Sequence, residues 1–200
     1  MKYILISYFQ YDTIKITFYN IKIFDFRGKL KMYITDKYWN NYIGDTDDSL
    51  TLITYLADKQ KEEISLEEIF SDIGLDKLNG NFREHDEPLT VILKNIESDY
   101  DEPYAEFYYA IDVITDLAAL LLECKVNGSV NLFELIEDEL DTDVPNICIT
   151  ATPKEHELMN KALMDFVADP LSYDLSEMVS EEEMQEMAEI CEELRKELYE

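Results

Sequence analysis

The chain is short of the residues that interrupt structure and of those that most often carry catalysis. Five Gly and five Pro in 200 residues leave little room for linkers or low-complexity tracts. The three cysteines, Cys124, Cys148 and Cys191, are too few and too scattered for a disulfide framework. Each lies among apolar neighbours, so buried free thiols in a reducing compartment are expected. Only two histidines occur, His85 and His156. Glu155-His156-Glu157 lacks the second imidazole that HExxH places one helical turn away, and both histidines are expected to be solvated. No GxSxG, Gly-rich phosphate loop or CxxC is present. The expectation is a non-enzymatic protein that uses no cofactor and no dedicated metal site.

Positive charge is the largest deficit. Lys and Arg number 17 against 45 Asp and Glu, a net charge of −28. The imbalance is uneven: residues 1–40 carry seven basic and three acidic side chains, whereas residues 41–200 carry ten basic and 42 acidic ones. Such a field repels phosphates and draws in basic partners at long range. Direct binding of nucleic acid is therefore not expected.

Aromatic residues are plentiful, with 14 Tyr and 9 Phe, which argues for a packed core and against disorder. The length suits a single α+β domain, with a basic β-rich part over 1–44 and an acidic, mainly helical part over 45–200. Its longest apolar stretch, Tyr104–Val126, is polar on only a thin stripe and reads as a central helix surrounded by other elements. The stretch is long enough to cross a bilayer, but Asp112 and Asp116 near its middle oppose that. The opening MKYILISYFQYD reads as a strand rather than a signal peptide, for want of a small-residue cleavage site. A cytoplasmic protein without membrane contact is expected.

Alternation of apolar and polar residues over 2–35 predicts three or four antiparallel strands, to which a strand at 146–151 can add. From Asp45 onward the helix caps are legible. Asp48 or Ser49 can cap a helix running to Lys59. Ser65 with Glu68 forms a capping box, and Gly74 provides the stop. Asp86-Glu87-Pro88 reads as the start of a helix over Leu89–Glu97, with a strand at Leu89–Leu93 as the alternative. Asp101-Glu102-Pro103 reads as the start of the central helix, which Asn127-Gly128 ends. A short helix is expected at Asn131–Leu140, with a strand as the alternative. Thr152-Pro153-Lys154-Glu155 opens a helix that Asp169-Pro170 breaks, and Ser180 with Glu183 opens the last one. There, Met184, Met187, Cys191, Leu194 and Leu198 form one apolar stripe opposite a face of glutamates.

Two acidic clusters invite a calcium reading, and both lack the pattern. Asp45-Thr46-Asp47-Asp48 has no Gly at the sixth position and Leu56 at the twelfth. Asp138, Glu139, Asp141 and Asp143 follow no loop spacing. On the last helix nine glutamates meet only Arg195 and Lys196. Like charges on adjacent turns destabilise a helix, so either solubility or a basic partner favours them.

The second explanation predicts an inhibitor, of immunity or anti-defence type, whose carboxylates mask the nucleic-acid-binding surface of a basic nuclease, toxin or defence complex. Its contacts would be Asp45, Asp47, Asp48, Asp138, Glu139, Asp141, Asp143, Glu182, Glu186, Glu189 and Glu193, with Trp39 and Tyr42 as aromatic anchors. The competing expectation is an adaptor or assembly subunit that docks through the apolar stripe of the last helix, its acids serving solubility alone.

Overall fold

A computed structural model describes residues 32–85, 87, 89–94, 104–135 and 144–200. The strands expected within 2–31 lie outside them. Where the described chain begins, Ile34–Asp36 is a 3-10 turn and not the end of a strand. The first α-helix, α1 (Asp47–Asp58), is capped by Thr46, two or three residues earlier than expected, and Thr46 and Ser49 exchange a reciprocal pair of cap bonds. Strand β1 (Glu63–Ser65) leads directly into α2 (Leu66–Ile73). Ser65 caps α2 through the Glu68 N–H, and Gly74, in the left-handed region at φ +93°, ends it.

Leu89–Ile92 is a strand, β2, rather than the start of a helix. It pairs antiparallel with β3 (Tyr104–Phe107), with Leu89 opposite Phe107 and Ile92 opposite Tyr104. The central helix α3 therefore runs Ala110–Asn127 and begins after β3, not at Tyr104. Every residue of α3 from Ala110 to Glu123 is buried, as its nearly continuous apolar surface requires. Gly128, at φ +91°, closes it.

Of the short helix expected over 131–140, Leu132–Glu134 is a 3-10 turn, and 136–140 lie outside the described residues. Strand β4 (Cys148–Thr150) pairs in parallel with β1, so among the described residues its partner is a strand from the middle of the chain. Helix α4 (Pro153–Ala168) carries the expected Thr152–Glu155 box, and α5 (Glu181–Tyr199) the Ser180–Glu183 box. The described chain is thus mixed helix and strand, its sheets being two strand pairs, β1–β4 and β2–β3.

Helices α4 and α5 pack on each other and both pack on α3. Met184, Met187, Cys191, Leu194 and Leu198 face inward and are buried. Each such side chain contributes about 1.5–3 kcal/mol when removed from water. The stripe that an adaptor would dock with is consumed by the protein's own core.

Candidate functional site

The segment Tyr33–Ile43 lies along α5, and buried acids of α3 help to hold it there. Glu123 accepts the Ile34 N–H at 3.0 Å, and Asp116 accepts the Gly44 N–H at 2.8 Å. Both acids sit in the core, so each fixes one end of the segment through a bond sheltered from water.

Three tyrosines of this segment then meet α5 in antiparallel order. The Tyr33 hydroxyl donates to Glu197 Oε2 at 2.7 Å, Tyr38 lies within the field of Glu193, and the Tyr42 hydroxyl donates to Glu186 Oε2 at 2.6 Å. Lys37 pairs with Glu197 at the same end. Burial, and then the Glu193 charge, push the Tyr38 phenol up to about 12. The hydrogen bond to Glu186 does most to push Tyr42 up to about 12, helped by burial and the charges of Glu186, Glu183 and Glu182. These phenols stay protonated at neutral pH and add no charge of their own.

The outer surface of this assembly is acidic. Glu182, Glu186, Glu189 and Glu193 are exposed on α5, and among the described residues none of them is in an ion pair. Glu192, in contrast, is held by Arg195 and Lys196, which keep its carboxyl down at about 2. Asp45 and Asp47 are exposed beside the start of α1. Tyr42 joins this loop to α5, so two regions 144 residues apart meet at the Tyr42–Glu186 bond.

Trp39 and Asp48 lie behind that surface rather than on it. Trp39 is 3% exposed and stacks under Gly44, so it is a core residue. Asp48 is 2% exposed, and its carboxylate accepts the Tyr108 and Tyr109 N–H groups at 2.7–3.1 Å, which joins α1 to the start of α3. Asp138, Glu139, Asp141 and Asp143 lie outside the described residues. Tyr33 and Tyr38 were not legible as part of this face, because nothing local in the sequence says that their partners are glutamates of the last helix.

Both histidines are partly exposed, and each also contacts a neighbouring group. The His85 ring contacts the carbonyl oxygens of Glu87 and Tyr108 at 2.9 and 3.1 Å. His156 packs edge-on against Tyr199, with ring centroids 5.9 Å apart. Among the described residues, no group of three His, Cys, Asp or Glu side chains could hold a metal ion, and no helix is long and apolar enough to cross a membrane.

Comparison with curated proteins gives no match, and comparison with solved structures gives none either. The sequence model of the family described as Immunity protein 68 matches residues 33–198, from the first tyrosine of the acidic face to the end of α5, and the chain belongs to that family.

Proposed function

We propose that the chain neutralises a toxic effector protein by binding it, without chemistry of its own, and that the surface it covers on that effector is basic. Membership of an immunity-protein family supports a protein target of this kind. The observation that carries the basic surface is the Tyr42–Glu186 bond, which unites the Asp45–Asp47 loop and the unpaired glutamates of α5 in one acidic face. Carboxylates arrayed on a rigid helix suit a cleft that otherwise receives phosphates, so a nuclease or another nucleic-acid-binding toxin is the partner class this face fits. Long-range attraction would make association fast and salt-sensitive.

Nothing comparable supports apolar docking, because the stripe it needs is covered by α3 and α4.

The test is capture of a partner from source-cell lysate, elution by increasing salt, and co-expression of that partner with this chain. A single basic protein should be recovered whose toxicity is relieved by the wild-type chain. Relief should weaken when Glu182, Glu186, Glu189 and Glu193 are all changed to Lys. A neutralised partner indifferent both to salt and to those four changes would overturn the acidic-face reading.

A further inference from the structure

Cys124 lies near the end of α3, and Cys148 opens β4. The Cys148 N–H donates to Glu62 O at 2.8 Å on the β1 side, while Ile147 turns the other way and exchanges two backbone bonds with Val130 at 2.8 and 3.0 Å. The chain leaving α3 is thereby held along the free edge of β4. The thiol of Cys124 fits into that edge. Its Sγ accepts the Ile149 N–H at 3.2 Å and lies 3.9 Å from Ile147 O, so it straddles Cys148 in the strand.

Both side chains line a cleft of about 480 Å³ whose other walls include Leu121, Lys125, His156 and Tyr199. Across the cleft, Lys125 Nζ donates to the Glu197 and Leu198 carbonyls at 2.9 and 2.8 Å and steadies the end of α5. Cys124 and Cys148 are free and partly exposed, whereas Cys191 is sealed in the core. The expectation of three buried thiols holds for Cys191 alone.

We propose that Cys124 and Cys148 are a site of oxidative modification, a dithiol that peroxide closes into a disulfide joining α3 to β4. The sulfur of Cys148 attacks the peroxide O–O bond, becomes a sulfenic acid and releases one water. The sulfur of Cys124 then displaces that hydroxyl group, forming the S–S bond and releasing a second water. Both thiol hydrogens leave in the two waters, and the two electrons the thiols lose reduce one peroxide. Burial raises the Cys124 thiol above its ordinary range and keeps it protonated, which leaves the first attack to Cys148, because the thiolate is the attacking form. An S–S bond of about 2.05 Å requires both side chains to turn toward each other, and the cleft they line gives them room. Closure would make a covalent loop of the acidic stretch containing Asp138, Glu139, Asp141 and Asp143. Cross-linking restricts the unfolded chain, so the oxidised protein should melt at a higher temperature.

The full chain is treated with hydrogen peroxide under native conditions and followed by intact mass, peptide mapping and thermal melting. Loss of two hydrogens, a linked peptide pair containing Cys124 and Cys148, and a melting rise reversed by dithiothreitol are expected. Cys148→Ser should abolish all three. Should that variant misfold, wild-type protein alkylated with N-ethylmaleimide before peroxide serves instead, and it too should form no link. Addition of oxygen without a cross-link, a link to Cys191, or a link between two copies would overturn the proposal.

Discussion

Asp112 and Asp116 stand one turn apart on α3, both buried, and Asp116 Oδ2 has no hydrogen-bond partner while its Oδ1 accepts the Gly44 N–H. Burial, followed by the Asp116 charge, pushes Asp112 up to about 8, and burial pushes Asp116 up to about 7. Asp48, facing them from α1, raises both further. The folded protein thus holds protons that the unfolded chain releases near pH 4. The stabilisation from this pair is complete below about pH 4, declines as pH rises, and is gone above about pH 8. Glu68, Asp72 and Glu192 are shifted the other way by their Lys and Arg partners. Their contribution is lost only as pH falls below the usual carboxylate range, so it stays constant over the window that matters. The melting temperature should be higher at pH 5 than at pH 8. A curve flat or rising over that interval would sink this account.

Asp112→Asn isolates the same effect at one residue. The amide keeps the shape of the carboxyl group and cannot ionise. Stability should rise at pH 8 by about 1–3 kcal/mol, in the range typical of a buried polar group relieved of an unfavourable state. At pH 5, where Asp112 is already neutral, the change should be much smaller. Urea unfolding at the two pH values checks both parts. A variant equally altered at both would point to packing rather than protonation.

Gly44 links the acidic loop to the core, and a side chain there meets two obstacles. Its φ of +77° lies in the left-handed region, and a Cβ would fall 2.2 Å from Cδ2 of Trp39. Gly44→Ala should destabilise by about 2–4 kcal/mol, combining backbone strain with overpacking. Thermal unfolding measures the loss. Near-ultraviolet circular dichroism should also change, because the chain's one tryptophan is the residue displaced. Unchanged stability would mean that the Gly44 turn is not fixed as described.

Helix boundaries were legible where a cap is local chemistry. Ser65, Thr152 and Ser180 each accept the N–H three residues on, and Gly74 and Gly128 take left-handed closing positions. Strand β2 was legible only as the alternative to a helix, and β3 was missed, because each is stabilised by the other. Asp-Glu-Pro before Leu89 imitates a helix start, yet Leu89 and Val91 are buried while Thr90 and Ile92 are exposed, the period of two that marks a strand. The aromatic run before Ala110 was absorbed into α3 for the same reason, since apolar character alone does not separate strand from helix. The acidic face was half legible. The glutamates of α5 follow from the 3.6-residue period, but the burial of Trp39 and Asp48 depends on tertiary contacts with Gly44, Tyr108 and Tyr109. The Tyr42–Glu186 link joins residues 144 apart, and no local pattern announces it.

If the face formed by α5 and Tyr42 guides the chain to a basic partner, reversing its charges should act mainly on the rate of encounter. Replacing Glu182, Glu186, Glu189 and Glu193 with Lys is expected to slow association by about 10–1,000-fold at low salt, the range spanned by electrostatic steering. The dissociation rate should change much less, because exposed rim charges steer more than they hold. At 1 M salt the screening length falls to about 3 Å, and wild type and variant should converge. Net charge alone would give a similar slowing wherever the reversals were made, so the control is four Lys substitutions at the exposed residues Glu62, Glu63, Glu67 and Asp76, which lie on neither α5 nor its loop. Association rates measured by stopped flow at two salt concentrations should separate the two sets. Equal slowing would reduce the face to a contributor to net charge, whereas slowing confined to the α5 set would locate the encounter surface beside Tyr42.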